Sequence, residues 1–203
     1  MSRWEPDARG RLLGAAMELF TERGYDATTT AQIAERAGLT KTTLFRLFPD
    51  KREIIFQGQG TLVDLATDGV TDAPADADAV EVLRAALTSL SSAHTPERKQ
   101  TGRTLDPIIA SSAELQERAV FKRAAITSAL DAALARRLGD RRQAGVLADL
   151  GVRAYYAGYD AWVASDTGES MTVHVLRELA LHEVALQQVA PRLHHDAVST
   201  PTD

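Results

Sequence analysis

Four side chains within six residues, Lys41, Thr42, Thr43 and Arg46, carry the hydrogen-bond donors that reading the edge of a base pair requires. Lys41 and Arg46 can both donate to guanine O6 and N7, and a good bidentate contact of that kind contributes about 1–3 kcal/mol of discrimination. Thr29, Thr30 and Lys51 add donors suited to phosphate oxygens, contacts that fix register without reading sequence. The chemistry of a catalyst is not there. The chain has no cysteine nucleophile, no G-x-S-x-G elbow and no phosphate loop of the Walker type. Gly58-Gln59-Gly60 lacks a third glycine, and His182-Glu183 opens an H-E-x-x-H pattern that Leu186 closes to metal. No Glu-x-x-His pair offers a di-iron site. His94, His174 and the tail pair His194-His195 are isolated in sequence and read as surface or capping residues. The expectation is a protein with no catalytic residue, no metal and no cofactor.

Two short helices and a tight turn must position those donors. Thr29 and Gln32 have the spacing of a capping box, in which each side chain satisfies a free N–H at a helix start. Ile33, Ala34 and Ala37 then form one apolar face, and Gly38 supplies the residue that tolerates positive φ. Thr40 caps a second helix, whose Leu44, Leu47 and Phe48 repeat the i, i+3, i+4 stripe before Pro49 ends it. Lys41, Thr42, Thr43, Phe45 and Arg46 are left outside that stripe. A helix of this kind can enter the major groove of DNA by its N-terminal residues.

The length of 203 residues allows one substantial domain or two small ones, and 44% hydrophobic residues can build a core. No apolar run approaches the roughly 18 residues a membrane span needs, and the polar start MSRWEPDARGR has no signal-peptide character. The absence of cysteine fits a reducing cytoplasm. The formal charge is −5, yet residues 1–55 hold 9 Lys/Arg against 8 Asp/Glu, leaving 14 against 20 for the rest. Attraction to phosphate then depends on where the cations stand rather than on bulk charge.

Arg11 to Ile55, RLLGAAMELFTERGYDATTTAQIAERAGLTKTTLFRLFPDKREII, resembles the DNA-binding domain of TetR-family transcriptional repressors. The resemblance runs through Gly24-Tyr25, the paired threonines, Ile33-Ala34, Ala37-Gly38-Leu39, Thr43-Leu44-Phe45, Phe48 and Lys51. It implies that Lys41, Thr42, Thr43 and Phe45 face the groove while Lys51 opens the next helix on the DNA backbone. Ala31, Phe45 and Leu47 depart from residues frequent in the family, and each removes a hydrogen bond, which leaves base reading to Lys41, Thr42 and Arg46. The family also implies a homodimer and a ligand pocket in the remainder of the chain.

Periodicity makes that remainder helical throughout. The expected architecture is all-α, with a helix-turn-helix head over residues 1–52, a larger helical body over 53–190 and a disordered tail over 191–203. Individual helices are expected from Pro6 to Arg23, from Asp50-Lys51 to about Val70 with Gly58 and Gly60 inside it, and over 79–92, 104–112, 113–138, 143–165 and 171–189, where Pro191 ends the last. Leu176, Leu179, Ala180, Val184 and Leu186 form a seam suited either to dimerisation or to the monomer's own core. Tyr155, Tyr159 and Trp162 fall at i, i+4, i+7, and with Phe121 they are the candidate lining of a pocket for a hydrophobic or aromatic molecule. The function expected is a repressor released from a palindromic operator on double-stranded DNA by a small-molecule effector. The competing readings are a ligand-independent DNA-binding protein and a helical-bundle enzyme.

Overall fold

The computed structural model describes residues 7–198, and within them the chain is helical and without strands. In order come α1 (Ala8–Arg23), α2 (Thr30–Arg36), α3 (Lys41–Leu47), α4 (Arg52–Ile55), α5 (Gln59–Thr71), α6 (Ala79–Ser91), α7 (Pro96–Ala110), α8 (Ala113–Leu138), α9 (Arg141–Ala164) and α10 (Met171–Val198). Two compact units divide it: Met1–Gly60 with Glu97–Ala124, and Thr61–Pro96 with Ala125–Asp203.

In the first unit, α1 buries Leu12, Ala15, Ala16, Leu19 and Phe20, the stripe its spacing dictates. Its start is capped by Asp7, whose carboxylate accepts from the Gly10 N–H at 2.9 Å. Pro6, where the sequence would begin this helix, lies outside the described residues. Ile33, Ala34, Leu44, Phe48 and Ile54 close the same core, and Ile108 of α7 and Leu115 of α8 complete it. Each such side chain fully removed from water contributes about 1.5–3 kcal/mol.

The second unit packs α6, α9 and α10 with the later turns of α5 and α8 around Leu83, Leu87, Leu130, Leu134, Val152 and Val175. Small residues set its closest approaches. A Cβ on Gly158 of α9 would lie 2.5 Å from Val175 Cα of α10, and one on Gly69 of α5 would lie 2.7 Å from Ala86 Cα of α6.

Three boundaries differ from the sequence expectation. The helix expected from Asp50-Lys51 to Val70 is two helices, because Gly58 takes φ +86°, a conformation that ends helical pairing. The segment expected over 104–112 begins earlier, at Pro96, although its first turns (PERKQTGR) are polar and show no apolar stripe. Finally, α10 does not end at Pro191 but continues to Val198, losing one i→i−4 hydrogen bond at the proline. Of the expected disordered tail, residues 199–203 lie outside the described residues.

Candidate functional site

The turn between α2 and α3 is built by local chemistry. The Thr29 hydroxyl accepts from the Gln32 N–H at 3.3 Å, and Gln32 Oε1 accepts from the Thr29 N–H at 2.9 Å, the capping box read from the spacing. Gly38 follows α2 at φ +66°, where a side chain would be strained and would also meet the Arg11 guanidinium. Thr40 caps α3 by accepting from the Thr43 N–H at 3.1 Å, and the two threonine hydroxyls are 3.0 Å apart. Leu44 is fully buried beneath α3. The seven-residue rod is therefore pinned from below, and its outer face is what remains.

That outer face carries Lys41, Thr42, Phe45 and Arg46, all exposed, with Thr43 half-buried. Phe45 is 48% exposed, a high value for a ring with a well-made core beneath its own helix. Lys41 Nζ stands 6.0 Å from the centre of the Phe45 ring, so cation and apolar surface share one side of α3. Thr29 is exposed and Thr30 half-buried at the start of α2, with the Thr29 hydroxyl occupied by capping.

Lys51 is placed differently from a solvated phosphate contact. Its Nζ donates to the carbonyls of Tyr25 at 2.7 Å and Thr28 at 2.9 Å, and it lies 3.8 Å from the centre of the Tyr25 ring. Burial lowers its pKa from the ordinary lysine value. An ammonium has three N–H donors. Two are committed to carbonyls, and one is left for a ligand.

Long-range contacts hold the arrangement in ways no local pattern announces. Arg11 of α1 donates to Ala37 O at 2.5 Å, satisfying a carbonyl at the C-terminal end of α2. Arg36 at the end of α2 donates to Glu18 at 3.0 Å and to Glu22 at 2.9 Å, both on α1, and its hydrogen bond is the main reason the Glu22 pKa lies below its ordinary value. Glu53 of α4 accepts from Arg118 Nε at 2.6 Å and from Lys122 Nζ at 3.1 Å, both on α8. Burial alone would raise the Glu53 pKa, but those two cations outweigh it and hold it below the usual carboxylate range. Lys122 is only 6% exposed and also donates to Phe56 O at 3.2 Å. The Glu53–Lys122 pair borders an open pocket of about 310 Å³ behind the end of α3, lined by Arg9, Phe48 and Phe56 among others.

Of the four candidate pocket residues, the structure brings three together. Tyr155 and Trp162 are each 2% exposed in α9, and Tyr159 and Trp162 have ring centres 6.2 Å apart. Phe121 belongs to the other unit and is 62% exposed on α8, beside the Arg118 guanidinium at 5.0 Å. Its place in the cluster is taken by a residue the sequence did not single out. His94 Nε2 is 2.7 Å from the Tyr155 hydroxyl, and its ring centre lies 5.4 Å from Tyr159 and 6.1 Å from Trp162. The surface or capping role expected for His94 is thus replaced by a contact across 61 positions.

Among the described residues there is no group of three His, Cys, Asp or Glu side chains able to hold a metal, and no helix long and apolar enough to cross a membrane.

Residues 12–57 match the family model described as bacterial regulatory proteins, tetR family. The transcriptional activator FasR of Mycolicibacterium smegmatis is 40% identical over 67 residues, which are 33% of this chain and 31% of that protein. A putative transcriptional regulator from Pseudomonas aeruginosa PAO1 has a similar fold, with a TM-score of 0.60 and 17% identity over 94% of this chain and 96% of that one. The regulator FadR of Bacillus subtilis, solved in complex with stearoyl-CoA, gives a TM-score of 0.54 and 18% identity over 85% of this chain and 96% of its own. The chain spans less than half the length of the curated relatives it matches, from 22% to 42%. These relatives are described as transcriptional regulators, not as enzymes.

Proposed function

From the match of residues 12–57 to the tetR family of bacterial regulatory proteins, we propose that this chain is a member of that family and a sequence-specific DNA-binding repressor. The observation that carries the reading is the outer face of α3: Lys41, Thr42, Phe45 and Arg46 are exposed on a helix whose other side is locked by Leu44 and Phe48. In the major groove, Lys41 and Arg46 donate to base edges and Phe45 packs on a thymine methyl. Thr43 faces the groove beside them, and Thr30 and the remaining donor of Lys51 take phosphate oxygens, whereas the Thr29 hydroxyl is held by Gln32.

The chain works as a homodimer on a palindromic operator, with half-sites about 34–36 Å or a multiple apart. The exposed side chains Ala180, Leu181, Val184 and Leu186 of α10 support that reading, since an uncovered apolar stripe on a long helix seeks a partner. Leu179 is fully buried and serves the protomer's own core.

A small hydrophobic or aromatic effector bound in the body releases the operator. Linkage makes the effect reciprocal, and a coupling of about 1–3 kcal/mol changes operator affinity about 5–150-fold. Titrating the protein against the DNA flanking its own coding region, at several salt concentrations, tests the DNA step. Four to eight phosphate contacts per dimer give a log–log slope of about −4 to −7. A flat response across every duplex would refute the reading.

A further inference from the structure

We propose that the cluster of His94, Tyr155, Tyr159 and Trp162 is a binding site for planar heteroaromatic molecules with an unprotonated ring nitrogen, and that the His94 imidazole holds that ligand's place in the free protein. The inference rests on the effector-gated reading of the body and adds the chemical class of the effector.

The cluster has two components. The first is a set of flat surfaces. His94 meets the Tyr159 and Trp162 rings at interplanar angles of 62° and 67°, and the Tyr155 ring centre lies 5.9 Å from its own. The second is one directed polar group. Tyr155 is 2% exposed, and burial opposes ionisation of its phenol, with Tyr156 and Tyr159 adding to the upward shift. A neutral phenol keeps its O–H proton, and in the tautomer that leaves Nε2 bare, His94 accepts it at 2.7 Å. In effect, a planar ring with an sp² nitrogen is already bound to the site.

That ring is carried by a segment outside the helix that holds the other three. His94 lies outside any helix, between α6 and α7, whereas Tyr155, Tyr159 and Trp162 all sit within α9. Rotating that side chain out of the cluster vacates its place among the rings and leaves a phenol donor without an acceptor. A ligand presenting a ring nitrogen restores the hydrogen bond, and a carbocycle of the same shape does not. Leaving a buried hydroxyl unmatched changes affinity by about tenfold.

Quinoline and naphthalene, nearly identical in shape and differing in one nitrogen, are the probes. The full chain carries Trp4→Phe, so that Trp162 is the sole indole, and its fluorescence is followed as each probe is added. Quinoline is expected to bind about tenfold more tightly than naphthalene. Tyr155→Phe is expected to abolish the preference with helical content unchanged by circular dichroism. His94→Ala is expected to tighten quinoline binding, because the internal competitor is gone. Absence of quinoline binding, or a preference that survives Tyr155→Phe, overturns the proposal. Operator release is followed separately by anisotropy of labelled DNA. Quinoline bound with its preference while the operator stays bound would leave the site standing and remove the gating reading. Another ligand releasing the operator, with no preference for quinoline, would do the reverse.

Discussion

Lys51 holds Tyr25 from two sides: its ammonium donates to the Tyr25 carbonyl at 2.7 Å and lies 3.8 Å from the centre of the Tyr25 ring. The same nitrogen takes the Thr28 carbonyl at 2.9 Å. The segment between α1 and α2 is therefore tied to the start of α4, and the residue proposed to grip the DNA backbone is also a structural clamp. Lys51→Met should cost about 2 kcal/mol of stability, the scale of hydrogen bonds to a charged group. It should also weaken specific and random DNA alike. Urea unfolding and gel shifts on both kinds of duplex check this, and a variant of unchanged midpoint would show that the clamp carries no weight.

Arg46 has the opposite character. It is exposed on α3, and no ion pair to it is seen among the described residues. Arg46→Ala should leave the unfolding midpoint within about 0.5 kcal/mol of the parent. Sequence preference should relax by about 1–3 kcal/mol at one base pair per half-site. Binding to a panel of singly substituted operators measures it, and equal losses on operator and random DNA would reassign Arg46 to the phosphates.

Glu53 makes stability depend on pH. Its folded pKa is depressed by Arg118 and Lys122 against the upward push of burial, so the paired carboxylate contributes above the ordinary value of 4.5. That contribution is lost as pH falls through the lower, folded value. Glu53→Gln removes the carboxylate charge facing the buried Lys122 and should cost about 3 kcal/mol at neutral pH. The gap between parent and variant should narrow as pH drops below 4.5, because the parent is then neutralised too. Denaturant midpoints at pH 7 and in the acid range decide it, and a constant gap would contradict the assignment.

Two glycines of α9 should respond in opposite directions to the same substitution. A methyl at Gly158 meets Val175 backbone at 2.5 Å, and backbone cannot rotate aside, so Gly158→Ala should destabilise by about 1–3 kcal/mol. At Gly145 the nearest atom to an added Cβ is Asp131 Oδ1 at 3.8 Å. Gly145→Ala should stabilise by about 0.5–1 kcal/mol through helix propensity alone. Thermal and urea unfolding of both variants provide the comparison, and shifts of the same sign would mean that the close approach of α9 and α10 is not limiting.

The sequence by itself determined what short-range forces decide. The capping box of Thr29 and Gln32, the Thr40 cap, the Gly38 turn and the apolar stripes of α1, α2 and α3 are set within four or five positions of the residues concerned. The head, with its outward face of Lys41, Thr42, Phe45 and Arg46, was legible for that reason. At Gly58 the local signal was ambiguous, since a glycine within a helical pattern is compatible with either continuation or a break. Only the backbone's positive φ there split the expected helix in two.

What tertiary structure alone decided lies between residues far apart in the chain. Glu53 meets Arg118 across 65 positions and His94 meets Tyr155 across 61, pairings for which no periodicity exists to be read. A lone histidine or glutamate is the same letter whether it is solvated or paired. Phe121 makes the converse point: its type suggested a pocket wall, yet its direction on α8 turned it to solvent. Which partner a side chain finds depends on how whole helices pack, and that is a sum over the entire core rather than a property of any segment.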